Sequence, residues 1–278
     1  MNIKEILDKT VDYFKKYEIE QPRLDAEVLL ADLLDMERIN LYVNFDRPLT
    51  SDEIDAYREL ILKRRQGTPV AYLVGHKEFM GLKFNVSSDV LIPRPETEHV
   101  VETILNEIDT WEQEKVTIAD LGTGSGAIII SIANLADKQV QGLGVDISAA
   151  SLEVAKENAV NLEVAEQIEF KEGDFLGPLE EQVDIIVSNP PYIPSAEIEN
   201  LQPEVQQEPK LALDGGQDGL DYYRSIINAA SDYLTEEGLL IFEIGIKQSE
   251  DVANLLNEAG YSNIEIKEDY SDIERVVL

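Results

Sequence analysis

Asn189-Pro190-Pro191-Tyr192 brings together the residue types needed to hold a planar NH₂ group. The side-chain oxygen of Asn189 is a hydrogen-bond acceptor. Two consecutive prolines remove two backbone donors and hold φ near about −65°, so the Pro190 carbonyl points in a set direction. Two fixed acceptors side by side can take both hydrogens of an amide or an aromatic amine, and Tyr192 offers a ring face against which such a planar group can stack. A nitrogen of that kind has its lone pair delocalised and is a poor nucleophile. The chemistry that suits this corner is group transfer to the held nitrogen from an aligned donor, where fixed geometry contributes ~7–11 kcal/mol in favourable cases. Asn189 and Pro190 are thus the candidate catalytic residues, and Asn189, Pro190, Pro191 and Tyr192 the candidate substrate-binding set.

A second cluster supplies a place for the donor. Asp120-Leu121-Gly122-Thr123-Gly124-Ser125-Gly126 follows the apolar run Val116-Thr117-Ile118-Ala119. Glycines there let the backbone turn sharply and bring its N–H groups close to a ligand. Asp146, 20 residues after Gly126, closes the next apolar run, where a carboxylate can accept both ribose hydroxyls. Asp174, in Gly173-Asp174-Phe175, is expected to close a third run at the same level. Gly122, Gly124 and Ala127 also satisfy the G-x-G-x-x-A turn of nicotinamide enzymes, which keeps a dehydrogenase open. Two features favour S-adenosylmethionine. Asp120 can help hold a methionine amino group, and Asp174 with Phe175 offers an adenine-edge acceptor and an apolar wall.

These residues need a scaffold that brings strand ends to one edge. From residue 116 onward short apolar runs alternate with amphipathic stretches, which predicts strands at 116–119, 140–145, 168–170, 183–187, 239–244, 264–266 and 275–278 with helices between them. Such alternation implies a mainly parallel sheet covered on both faces, with ligands at its carboxyl edge. Before it, Ile3, Ile6, Leu7, Val11 and Phe14 recur at helical spacing, as do Leu24, Val28, Leu29 and Leu33 after Pro22. A third helix is expected after Ser51 as N-cap, so residues 1–70 read as a small helical bundle. Ala71–Gly75 and Leu82–Val86 read as strands of a β-hairpin linker over 71–98, leaving 99–278 as the α/β domain.

Composition narrows the partners. The 278 residues carry 23 basic and 56 acidic side chains, a net charge of −33. That field repels phosphate backbones and anionic lipid, so neither nucleic acid nor a membrane surface is the expected partner. No stretch approaches the ~20 apolar residues of a membrane span, and no signal-peptide pattern opens the chain. The absence of cysteine excludes thiol nucleophiles and thiolate metal sites. His76 and His99 lack an obvious third ligand, and no metal site is expected. A cytoplasmic monomer is the resulting expectation.

The chain resembles the PrmC/HemK family of protein-glutamine N5-methyltransferases. The resemblance runs nearly end to end, through Arg23-Leu24-Asp25-Ala26-Glu27, Tyr72-Leu73-Val74-Gly75 with Phe79, and Leu91–Glu98. It continues through the glycine loop, Asn189–Tyr192, Gly215–Leu220, Glu243, Gly245 and Gln248. Asn-Pro-Pro-Tyr alone is shared with enzymes that methylate adenine or guanine amino groups, which stays open as an alternative. The resemblance implies a class I, seven-stranded Rossmann-like methyltransferase domain. It implies S-adenosylmethionine contacts at Gly122, Thr123, Gly124, Ser125, Gly126, Asp146, Phe175 and Asn189, beside the Asp174 read from the strand ends. It also implies glutamine binding at Asn189–Tyr192, the Gly-Gly-Gln glutamine of class 1 peptide-chain release factors as acceptor, and protein docking by the helical bundle. Phe175 stands where many relatives carry tryptophan.

Overall fold

In the computed structural model, which describes residues 1–278, the first helix is closed by a reciprocal cap. The Asn2 side chain accepts from the Glu5 N–H (2.8 Å), and the Glu5 carboxylate accepts from the Asn2 N–H (3.1 Å). Helix α1 (Ile3–Lys16) then buries Ile3, Ile6, Leu7, Val11 and Phe14 on one stripe. Pro22 opens α2 (Pro22–Leu33), and a six-residue helix, α3 (Arg38–Val43), follows. Sequence periodicity does not reveal α3, because only its Leu41 is buried. The cap of α4 (Ser51–Arg65) is Thr50 rather than Ser51: Thr50 accepts from the Glu53 N–H, and Glu53 from the Thr50 N–H. The acid three residues on completes a capping box only for Thr50, and Ser51 becomes the first helical residue.

Ala71–Gly75 is not a strand. Val70–Val74 forms a short helix, α5, whose Val70, Leu73 and Val74 pack onto the bundle core, and Gly75 ends it at φ 77°. A five-residue apolar run carries no period of its own, and the spacing 70, 73, 74 is helical once a core lies on one side. A compact unit comprises Met1–His76 with Gln202–Gln207. Inside it Arg64 Nε donates to Asp25 (2.7 Å), both buried, and Tyr57 Oη donates to the Ala26 carbonyl (2.7 Å).

The second unit comprises Lys77–Leu201 and Glu208–Leu278. Strands β1 (His76–Phe79) and β2 (Leu82–Asn85) meet at Met80-Gly81, both at positive φ (51° and 72°), the mirror-image turn that matches strand twist. After α6 (Glu98–Asp109), strands and helices alternate as β3 (Lys115–Leu121), α7 (Ala127–Leu135), β4 (Gln139–Asp146), α8 (Ala149–Asn161), β5 (Ile168–Glu172) and β6 (Val183–Ser188). Then come α9 (Asp221–Ala230), β7 (Leu234–Glu243), α10 (Ser249–Glu258), β8 (Ile266–Glu268) and β9 (Glu274–Val277). The seven strands lie in the order β5-β4-β3-β6-β7-β9-β8, parallel except around β9. This is the seven-stranded, Rossmann-like architecture expected from the sequence, with β5 running two residues further than foreseen, Asp174 two residues beyond its end rather than closing it, and β8 beginning two residues later than the expected 264–266.

Alternation sets the two faces. Ile118, Ile185 and Ile241 face the core covered by α6 and α7, whereas Leu121, Ile186 and Phe242 face the one covered by α9 and α10. Each such fully buried side chain contributes ~1.5–3 kcal/mol relative to exposure. Burial on both faces fixes the register, and with it the level at which the strands end. Leu121 pairs with Val145 and with Ser188, so the segments leaving β3, β4 and β6 emerge together. Sequential connections leave β3 in one direction to β4 and return to β6 on its other side, the switch point where open α/β sheets bind ligands.

Candidate active site

A cavity of about 170 Å³ lies at that switch point. Gly122 and Gly124 from the end of β3, Asp146 from β4, Asp174 and Phe175 after β5, and Asn189 and Pro191 after β6 all line it. Gly122, Gly124 and Gly126 sit at φ 74°, 55° and 80°, a run of left-handed backbone that explains the glycines. The Gly124 N–H donates to Asp146 Oδ2 and the Ser148 N–H to Oδ1, both at 2.9 Å. Asp146 therefore braces the glycine loop from the end of β4. Burial raises its pKa, and the backbone donors of Ser148 and Gly124 oppose that shift.

Other expected residues play supporting parts. Thr123 is buried and its hydroxyl donates to Asp120 Oδ2 (2.7 Å). Ser125 is buried too, and its carbonyl accepts from Asn158 Nδ2 (2.9 Å), which also reaches the Asn85 carbonyl. Gly126 caps α7. None of Thr123, Ser125 and Gly126 lines the cavity. Asp120 is 1% exposed, and its Oδ1 has no hydrogen-bond partner. Burial pushes its carboxyl up to about 7, against the pull of the Thr123 hydroxyl.

Asn189 and Pro191 reach the cavity, whereas Pro190 and Tyr192 do not. Tyr192 packs against the core under α9 and α10, and burial raises the pKa of its hydroxyl. Its backbone is held from several sides. Gln248 Nε2 donates to the carbonyls of Tyr192 (3.1 Å) and Gly219 (3.3 Å), and Gln248 Oε1 accepts from the Gly245 N–H (2.9 Å). The Gly215 N–H donates to the Ile193 carbonyl (2.8 Å), and the Ile193 N–H donates to the Leu213 carbonyl (3.0 Å), joining the same loops. A Cβ at Gly215 would stand 2.7 Å from the Pro191 carbonyl oxygen and the Tyr192 Cα, so only glycine permits this approach. The Gly215–Gly219 loop is the bed on which Asn-Pro-Pro-Tyr rests.

Arg94 pairs with Glu208, whose other oxygen accepts from the Ile92 N–H (3.0 Å). The proline-rich segment is thereby tied to the stretch after Tyr192, while Asp89, Val90 and Leu91 before it contribute a wall of the cavity. Sequence reasoning missed that wall and also Tyr222, whose ring lies 5.2 Å from that of Phe175 across the cavity lining. The strand-end rule does not reach them, since they enter from a connecting segment and from the first turn of α9.

Two family profiles match the chain, a PrmC N-terminal domain over residues 5–75 and a methyltransferase domain over residues 112–267. The release factor glutamine methyltransferase of Geobacter sulfurreducens is 41% identical over 278 residues, covering 99% of this chain and 95% of its own length. That of Moorella thermoacetica is 41% identical over 280 residues, covering 100% and 98%. The chain belongs to the release factor glutamine methyltransferase family. Among solved structures, the catalytic domain of hMettl16 in complex with the MAT2A 3′UTR hairpin 6 superposes with a TM-score of 0.57 at 16% identity, over 82% of this chain and 81% of that one. A methyltransferase from Pyrococcus furiosus gives 0.52 at 15%, over 72% and 88%. These two likenesses concern the fold alone.

Methyltransferases of this family use S-adenosylmethionine, and the cavity suits it. Asp146 and Asp174 are acceptors for hydroxyl and amino groups, and Phe175 and Tyr222 are flat apolar surfaces for a purine; Asp120, expected to help hold the methionine amino group, is buried behind the glycine loop and does not line the cavity. In an Asp146→Ala protein, S-adenosylhomocysteine should bind about 1–3 kcal/mol more weakly, because charged hydrogen bonds are lost and the glycine loop loses its brace. Isothermal titration reads this directly, and an unchanged affinity would remove Asp146 from the site.

Proposed function

We propose that this chain transfers a methyl group from S-adenosylmethionine to the side-chain amide nitrogen (N5) of the glutamine in the Gly-Gly-Gln motif of class 1 release factors. The reading is carried by the position of Asn189, on the wall of a cavity that also holds the glycine loop and Asp146. The bound donor supplies an electrophilic methyl group on a positively charged sulfur. Asn189 Oδ1 and the Pro190 carbonyl accept the two N–H groups of the glutamine amide and hold its nitrogen toward the cavity, with Pro191 against it. Both are acceptors only, so they favour an amide nitrogen that is gaining positive charge. No strong base is needed beforehand, since the proton becomes acidic as the nitrogen becomes cationic and can pass to solvent.

Methylation of an exocyclic base amine uses the same corner, but −33 of net charge opposes the phosphate contacts that nucleic-acid binding requires. No helix is long and apolar enough to cross a membrane, and a release factor substrate assigns the work to the cytoplasm. The bundle of residues 1–70 docks the protein substrate in this account, leaving the chemistry to residues 99–278, and one copy of the chain suffices. The decisive experiment offers labelled S-adenosylmethionine to the purified protein with release factor, tRNA, rRNA or DNA. Label on the glutamine of release factor is the expected result, and label on nucleic acid alone would overturn the reading.

A further inference from the structure

One buried acid has no part in the account above. Glu243 ends β7 and is 2% exposed, with Oε2 lacking any hydrogen-bond partner. Its backbone is pinned where Tyr223 Oη donates to its carbonyl (2.9 Å). Ser188 pairs with Phe242 across β6 and β7, so the next residues, Asn189 and Glu243, leave neighbouring strands at one level. Phe242 points into the core under α9 and α10, and alternation turns Glu243 to the other side of the sheet. That is the side on which Asn189 follows β6, and there Asn189 Nδ2 donates to Thr97 Oγ1 (3.4 Å).

No cation is committed to this carboxyl. The positive group nearest in influence, Arg275, is bonded to Asp269 at 3.0 Å, and Glu96 adds a like charge. A buried acid without a counter-ion is unfavourable for the fold, which makes its neighbours informative. Once ionised, above about pH 7, this carboxyl accepts and cannot donate, so it turns the NH₂ end of a neighbouring amide toward itself. The two ends of an Asn side chain have nearly the same shape. Packing alone does not choose between them, whereas hydrogen bonding does.

We propose that Glu243, together with Thr97, is a positioning residue that locks the Asn189 carboxamide in the orientation leaving Oδ1 free for the substrate amide. The opposite flip would present Nδ2 to the N–H groups of the glutamine, donor against donor. The inference rests on the reading of Asn189 as an amide acceptor, but its geometry concerns this chain alone.

The test pairs two length-matched replacements in the full chain. Assayed at pH 8, Glu243→Gln retains an acceptor beside Asn189 and should keep kcat for release factor methylation within about fivefold of the unmutated protein, whereas Glu243→Met, which offers none, should lower it by about 10- to 150-fold, the span for one interaction with a charged group. S-adenosylhomocysteine affinity should change by less than about threefold in either, a split that general damage to the cavity would not produce. Equal losses in both variants, or near-native kcat in Glu243→Met, would overturn the assignment. A second readout needs neither variant nor substrate. With S-adenosylhomocysteine bound, the Asn189 side-chain amide protons should resist solvent exchange in NMR spectra, and free exchange would refute the lock. Failure of the unmutated chain to methylate release factor would count against the proposed function, and the NMR result would still decide the role of Glu243.

Discussion

Asn189→Ala is expected to lower the rate of methyl transfer to release factor by about 10²–10³-fold, the scale for removing one preorganised group that acts on developing charge. The reason is geometric as well as electrostatic. Deleting the carboxamide removes one of two acceptors for the substrate NH₂, which then swings about the Pro190 carbonyl, and a misplacement of about 1 Å can cost ~10²-fold. The cofactor side should suffer much less. Gly122, Gly124, Asp146 and Phe175 remain, so S-adenosylhomocysteine should bind within about fivefold of its normal affinity, a loss of no more than one weak hydrogen bond. Single-turnover transfer and titration calorimetry on the same preparation separate the two. Turnover near that of the unmutated protein would dismiss the two-acceptor mechanism.

The ligand-free methyltransferase unit is expected to lose stability as pH rises from about 4 to about 7. Asp120 and Glu243 are fully buried, and burial lifts both carboxyls to about 7 from ordinary values of 3.8 and 4.5. Between those limits the folded chain keeps protons that the unfolded chain has released, so each increment of pH favours unfolding. Stability from these groups is complete below about pH 4 and gone above about pH 7. At 1.36 kcal/mol per pH unit, the Asp120 shift alone amounts to ~4 kcal/mol, which for a unit of this size corresponds to a fall in melting temperature on the order of 10 °C. Self-repulsion among the surface acids acts in the same direction. Asp120→Asn isolates the buried group, because an amide keeps the Thr123 hydrogen bond without the charge. It should melt higher than the unmutated protein at pH 8 and show a flatter profile in the transition that S-adenosylhomocysteine raises. An unaltered slope would show that Asp120 is not the titrating group.

The catalytic edge was legible because its signals are local. Glycines at 122, 124 and 126, single acids at 146 and 174 and a double proline at 190–191 each stand at or just after an apolar run, and the rule for open sheets brings run ends together. Seven strands and the helical start followed from periodicity for the same reason. What stayed hidden depends on register. Glu243 lies 54 positions from Asn189, and nothing short of the pairing of Ser188 with Phe242 makes them neighbours. Gln248, Tyr222 and Asp89–Leu91 arrive from elements whose own periods say only helix or loop. Val70–Val74 misled because an apolar run that short fits either period until its surroundings are known. Tyr192 illustrates a subtler gap: its motif was readable, but its seat depends on Gly215 and Gly219, which lie against its backbone, and on Gly245, which lies against its ring.

The bracing of Tyr192 by Gln248 has a bearing on how the reaction stops. Gln248 ties together the Tyr192 carbonyl, the Gly219 carbonyl and the Gly245 N–H, which restrains the segment just after Asn189 and Pro190 when the guest changes. A glutamine that has received one methyl group has a single N–H left for two rigid acceptors, and its new carbon occupies the place of the lost proton. The stranded acceptor then stays dry and unpaired, at a cost of ~1–3 kcal/mol. On this view the same stiffness that welcomes the primary amide ejects the secondary one, which makes the modification single and hastens departure of the finished protein.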